Sequence, residues 1–98
     1  MGLRDDASLL ILTSLAGGPK HGYAMIEDIA SITGIRLGPG TLYGAIGRLE
    51  AEGMIEALES DDRRRPYQIT PQGLGQLEAE IGGMKGLIAT GLRRLQRA

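Results

Sequence analysis

The chain has 98 residues, a formal net charge of −1, 42% apolar residues and no Cys, Trp or Phe. That bounds it to one domain with a modest aliphatic core, a size at which a second copy is a common aid to stability. It excludes disulfides and thiol-ligated metal and fits a reducing cytoplasm. It shows neither an apolar run of about 20 residues for a membrane span nor a secretory signal.

Residues Asp5 to Ala16, with Leu9, Leu10, Ile11, Leu12 and Leu15, are expected to form a helix that is apolar on most sides. Asp5 or Asp6 is its expected cap, and Gly17-Gly18-Pro19 ends it. A second helix is expected from Gly22 to Thr33, with Tyr23, Met25 or Ile26, Ile29 and Ile32 at helical spacing and Gly34 as its stop. Ile35-Arg36-Leu37 then leads to a third helix opened by Pro39 and closed by Gly53. Two helices joined by a short Gly-containing turn form a helix-turn-helix candidate.

The third helix is the informative one. At 100° per residue Leu42, Ala45, Ile46 and Leu49 share one stripe, and Gly40, Gly44, Gly47, Arg48 and Ala51 lie opposite. Each glycine weakens a helix by roughly 0.8–1 kcal/mol relative to Ala. A surface helix that keeps them is built to lie close against something, and Arg48 makes an anionic surface the natural choice.

Met54 to Glu59 alternates apolar and polar residues, Ser60 to Arg65 is polar and turn-prone, and Tyr67-Gln68-Ile69 alternates again. The pair reads as a β-hairpin with Arg63, Arg64 and Arg65 at its tip. Asp61-Asp62 cancels part of that charge. Thr70 as N-cap and Pro71 at the first helical position start a last helix. It carries Leu74, Leu77, Ile81, Met84, Ile88, Gly91 and Leu95 at alternating steps of 3 and 4, an a/d seam widened by Leu87 and Leu92. Gly73, Gly75, Gly82, Gly83, Gly86 and Gly91 make it poor in isolation, so packing against a partner chain is expected to hold it. The alternative is a kink near Gly82-Gly83.

The element order predicts a mainly α fold with a small β-hairpin: a winged helix-turn-helix over residues 1–70 and a long C-terminal dimerisation helix over 71–98. Such a chain seats its recognition helix in the major groove and lays its wing on the flanking backbone, and a dimer addresses two half-sites. The candidate DNA contacts are Lys20 near the start of the second helix, Arg36 in the turn, and Gly40, Thr41, Tyr43, Gly44, Gly47 and Arg48 on the recognition helix. Arg63, Arg64 and Arg65 complete the set on the wing. For Arg48 the competing reading is an i,i+4 surface pair with Glu52, worth little. Each neutralised phosphate adds about 0.9 to the salt slope of log affinity. The candidate dimerisation residues are Leu9, Leu12, Leu74, Leu77, Ile81, Met84, Ile88, Leu92 and Leu95. A lone His without Cys builds no metal site, no cofactor is expected, and no catalytic motif is visible.

His21-Gly22-Tyr23, Pro39 to Tyr43, Arg48 to Ile55 and Arg64 to Gly73 resemble the PadR family of bacterial transcriptional regulators, across about residues 9–75. The resemblance implies a homodimeric winged-helix repressor on double-stranded DNA with a roughly palindromic operator, often responsive to small aromatic or hydrophobic compounds. It also implies a structural role for the His21-Gly22-Tyr23 trio. The family usually has a small polar residue where this chain has Gly38, which removes a capping hydroxyl. Against the regulator stands a winged-helix protein-interaction module without DNA binding, which the net charge and the bare helix face slightly favour.

Overall fold

A computed structural model of the chain describes residues 3–60 and 63–97, with side chains from Ala7 onward. The elements run α1 (Leu3–Ala16), α2 (Gly22–Thr33), α3 (Pro39–Ala51), β1 (Ile55–Ala57), β2 (Tyr67–Ile69) and α4 (Pro71–Arg97). α1 begins at Leu3, ahead of both aspartates expected to cap it, so positions 5 and 6 lie inside the helix; their side chains fall outside the described residues. Asp61 and Asp62 also lie outside them.

Local signals explain the other boundaries. His21 caps α2, its Nδ1 accepting a hydrogen bond from the Ala24 N–H at 3.3 Å. Gly34 closes α2 in the left-handed region (φ 76°), and Gly53 does the same after α3 (φ 76°). Gly38 precedes α3 with no side-chain cap, and Pro39 takes the first turn. Thr70 caps α4 by accepting from the Gly73 N–H at 3.0 Å. The same hydroxyl lies 2.6 Å from the Gly53 carbonyl oxygen, to which it donates, so one side chain joins the end of α3 to the start of α4.

The core is aliphatic. Ile11, Leu12 and Leu15 of α1, Met25, Ile26 and Ile29 of α2, Leu42, Ala45, Ile46 and Leu49 of α3, Ile55 of β1 and Leu77 of α4 are all buried. The stripe expected on α3 is the buried one. Tyr23 and Ile32, expected at apolar spacing on α2, are instead 60% and 58% exposed, because α1 and α3 cover only one face of that helix.

The hairpin is shorter than its alternating sequence. β1 and β2 pair antiparallel with Ile55 opposite Ile69 and Ala57 opposite Tyr67, and one further bond links the Leu58 N–H to Pro66. Lys20 adds a bridge on the other edge of β2: its N–H donates to the Tyr67 carbonyl (3.1 Å), and the Tyr67 N–H donates back (2.9 Å). The wing is thereby tied to the residue just before α2.

α4 runs as one unbroken helix through Gly82-Gly83, so the glycine pair does not break it. Only its root is anchored. A Cβ on Gly73 would run into the Met54 carbonyl oxygen and come within 2.8 Å of Ile69 Cγ1, so only glycine lets the helix start that close to the hairpin. Gly73 and Leu77 are buried, and beyond them the helix projects, which makes the molecule 57 Å long against 26 and 21 Å in the other directions. Among the described residues no helix is long and apolar enough to cross a membrane.

Candidate nucleic-acid interface

α3 presents to solvent the lean face expected of it. Gly40, Thr41, Gly44, Gly47 and Arg48 are exposed, and nothing lies within 4 Å of where a Cβ would sit on Gly40 or Gly47. Arg48 Nη1 lies 3.9 Å from the corresponding point on Gly44, so the guanidinium runs back along the helix. Among the described residues the i,i+4 ion pair of Arg48 with Glu52 is not formed.

Beside this face lies a groove of about 580 Å³ between the wing and the start of α2. Arg63, Arg64 and Arg65 form one wall, and Tyr43, His21, Gly22, Tyr23 and Tyr67 form the rest. All three tyrosines of the chain and its single histidine therefore converge here. Glycine at position 22 makes the arrangement possible: a Cβ there would collide with the Tyr43 hydroxyl and stand 2.8 Å from its Cζ. The phenol of α3 thus rests on the first turn of α2, where unpaired N–H groups and the helix dipole favour anions. Burial, and then the Glu50 carboxylate, push the Tyr67 phenol above its ordinary pKa, so it stays a neutral donor. Hydroxyl donors, guanidinium groups and a helix N-terminus in one groove suit a phosphate oxygen.

The predicted contacts divide. Tyr43, Arg63, Arg64 and Arg65 share the groove; Gly40, Thr41, Gly44, Gly47 and Arg48 share the adjoining helix face. Lys20 joins neither: its ammonium is turned inward, donating to the carbonyls of Ser14 (2.5 Å) and Gly18 (3.3 Å), with Asp28 at 3.9 Å. Buried Ser14 completes that knot by donating to Asp28 at 2.6 Å. Lys20 is a strut between α1 and α2, because the orphan carbonyls at the end of α1 attract it first. Arg36 is drawn back to α2 by a 2.6 Å contact with Glu27, which holds that carboxyl below its usual pKa. His21, Tyr23 and Tyr67 were absent from the expected set. Their signal was compositional: in a chain with three aromatic residues, each is worth placing.

The expected dimer residues divide as well. Leu12 and Leu77 are 1% and 6% exposed, enclosed by their own subunit and closed to a partner. Leu9 is half-buried against the same core. Met84 is half-buried, whereas Leu74, Ile81, Ile88, Leu92 and Leu95 are exposed along α4. A second groove of about 780 Å³ runs between α1, the end of α3 and the root of α4, lined by Arg48, Glu52, Gln72, Gln76 and Glu80.

Residues 11–79 match the family described as the transcriptional regulator PadR-like family. The chain is 48% identical over 83 residues to an uncharacterized 37.1 kDa protein in transposon TN4556 of Streptomyces fradiae. The match covers 85% of this chain but 24% of that protein, so the chain spans about a quarter of its length. It is 40% identical over 87 residues to transcriptional regulator Rv3488 of Mycobacterium tuberculosis, covering 86% of this chain and 80% of that one. Two solved structures share the fold. One is a PadR family transcription regulator from Clostridium difficile R20291 (TM-score 0.82, 22% identity, 91% and 97% coverage). The other is a transcriptional regulator from Clostridium thermocellum (TM-score 0.80, 27% identity, 94% and 91% coverage). The chain belongs to the PadR-like family of transcriptional regulators, non-enzymatic proteins that bind DNA.

Proposed function

We propose that this chain is a homodimeric transcriptional repressor that occludes a promoter by binding a roughly palindromic operator. One observation carries the reading: the groove that gathers Tyr43 and the three wing arginines opens beside the exposed glycine face of α3. α3 lies in the major groove, its missing side chains bring the backbone close to the base edges, and Arg48 and Thr41 flank the contact. The neighbouring phosphate strand passes through the wing groove, where Tyr43 donates to it and the arginines neutralise it. Residues 1–70 are the DNA-binding unit, and 71–98 carry the dimerisation helix, through the part of α4 that leaves the body. A cytoplasmic location goes with this role. A small apolar or aromatic effector relieves repression by changing the angle or spacing of the two wings.

The test is a mobility shift on the DNA upstream of the chain's own gene, with Arg64→Ala and Arg48→Ala variants. Binding by the native chain and weakened binding by both variants are expected. Unchanged binding in both overturns the contact map, and no binding by the native chain overturns the regulator reading.

A further inference from the structure

The wing groove holds more than one phosphate contact uses. A phosphodiester brings a single negative charge. Arg63 and Arg65 alone set two guanidinium groups against it, with Arg64 beside them, and no carboxylate lines the groove among the described residues. Glu50 acts on the Tyr67 phenol from outside that lining. A phosphate oxygen also calls for hydroxyls, not for ring faces. Tyr23 offers the reverse: its hydroxyl hydrogen-bonds to the Glu27–Arg36 pair, so its ring is the part left to the groove. That ring and the Tyr43 ring are both more than half exposed, one on α2 and one on α3. The first two amides of α2, the Gly22 and Tyr23 N–H groups, have no acceptor among the described residues. Aromatic faces, cations and free amides thus bound one open space of about 580 Å³, inside the roughly 300–1,000 Å³ typical of small-molecule sites.

We propose that this groove binds a free nucleoside polyphosphate, its base stacked on Tyr23 and Tyr43 and its phosphates on Arg63, Arg65 and the first amides of α2, and that the bound nucleotide shuts DNA out of the wing. The competition with DNA rests on the function proposed above; the ligand site itself does not. A planar ring joined to several negative charges uses both surpluses of the groove, the unused ring faces and the excess of cations. Stacking on an aromatic side chain accepts every base, because each has a π-face, so the groove selects the class of ligand and not one base. The phosphates take the place a duplex backbone would occupy, since both need the arginines and the start of α2. Repression is then relieved by direct occupation of the DNA surface, with no movement of the two wings required.

Calorimetry of the full chain against ATP, GTP, adenosine and inorganic tripolyphosphate, all without divalent metal, tests the site. ATP and GTP are expected to bind alike, and adenosine, which has no charge for the arginines, not to bind. Tripolyphosphate, which has no ring, is expected to bind roughly 5- to 150-fold more weakly than ATP, the worth of one stacked base. Tyr23→Ala is expected to weaken ATP by a similar factor and to leave tripolyphosphate as it was, whereas Tyr23→Phe keeps the ring and keeps ATP. Arg65→Ala is expected to weaken both anions. Circular dichroism checks that these variants, all at exposed or half-exposed positions, keep their helix content. Amide shifts with ATP are expected at residues 21–23, 43 and 63–67. No ATP binding, equal binding of ATP and tripolyphosphate, or shifts centred on Arg93, Arg94 and Arg97 at the tip of α4 each overturn the proposal. DNA binding is measured first without nucleotide, and ATP is then expected to release the duplex at concentrations where tripolyphosphate does not. ATP held in the groove with DNA retained overturns the competition, and ATP bound by a chain that binds no DNA removes only the regulator reading.

Discussion

Replacing Gly22 with alanine separates a residue that shapes the proposed phosphate groove from one that holds the fold. The new methyl group would overlap the Tyr43 hydroxyl and stand 2.8 Å from Cζ and 3.1 Å from Cε1. All three atoms belong to the far end of a side chain that is 53% exposed, so the ring has room to swing away. A displaced rotamer costs about 0.5–1.5 kcal/mol, and Gly→Ala in a helix returns up to about 0.8–1 kcal/mol. The two nearly cancel, and Tm should move by only a few degrees. On the proposed contact, Tyr43 then no longer meets the phosphate, and a hydrogen bond to a charged group is worth about 1.5–3 kcal/mol, roughly 10- to 150-fold in affinity. Gly73→Ala is the control: its methyl would strike the backbone carbonyl of Met54, which cannot swing aside, so a stability loss of about 1–3 kcal/mol is expected. Thermal melts and mobility shifts on both variants decide the matter. If Gly22→Ala lowers Tm as much as Gly73→Ala and leaves DNA affinity unchanged, the role given to Gly22 and Tyr43 is wrong.

Three further outcomes follow from the geometry. Leu12→Ala should cost about 2–5 kcal/mol in stability, as a core truncation does. Its melting transition should shift without affecting the dimer dissociation constant, since Leu12 is enclosed by its own subunit. Lys20→Met should lower stability by about 1–3 kcal/mol, because the Ser14 carbonyl and Asp28 lose their cation in a part-buried site. Mobility shifts at matched folded fraction should show little change in DNA affinity, unlike Arg64→Ala. Tyr67 has a phenol pKa raised in the folded state, chiefly by burial, so the stability it lends is complete below its ordinary pKa of 10.0 and declines as pH rises through the folded value. Alkaline melts should therefore show Tyr67→Phe losing less stability than the native chain over that window.

Much of the fold was legible because the chain announces its boundaries chemically. Gly22, Gly34, Pro39, Gly53, Thr70 and Pro71 each sit where the geometry requires them, and α2 and α3 occupy the expected spans or end within two residues of them. Periodicity identified the buried stripe of α3 for the same reason: one face of a short helix must be covered, and four apolar residues marked it. What periodicity lacks is the identity of the covering surface. Leu77 lies on the α4 seam by spacing, yet the subunit's own body reaches it before a partner can. Tyr23 lies at apolar spacing on α2 and looks into a groove. Lys20 was placed on DNA by its position before a helix. The carbonyls of Ser14 and Gly18 that capture it belong to a turn whose path no local pattern reveals. The gathering of His21, Tyr43 and Tyr67 around the wing arginines is likewise tertiary: these residues lie on three separate elements and meet only because Lys20 pins β2 beside α2.

The central claim is that a duplex contacts the glycine face of α3 and the tyrosine–arginine groove together. Amide chemical-shift mapping of the labelled chain, titrated with an upstream duplex, tests it most directly. Perturbations should concentrate at residues 21–23, 40–48 and 63–67, leaving the exposed stripe of α4 nearly still. Shifts centred on α4, with the wing and α3 unmoved, would contradict it.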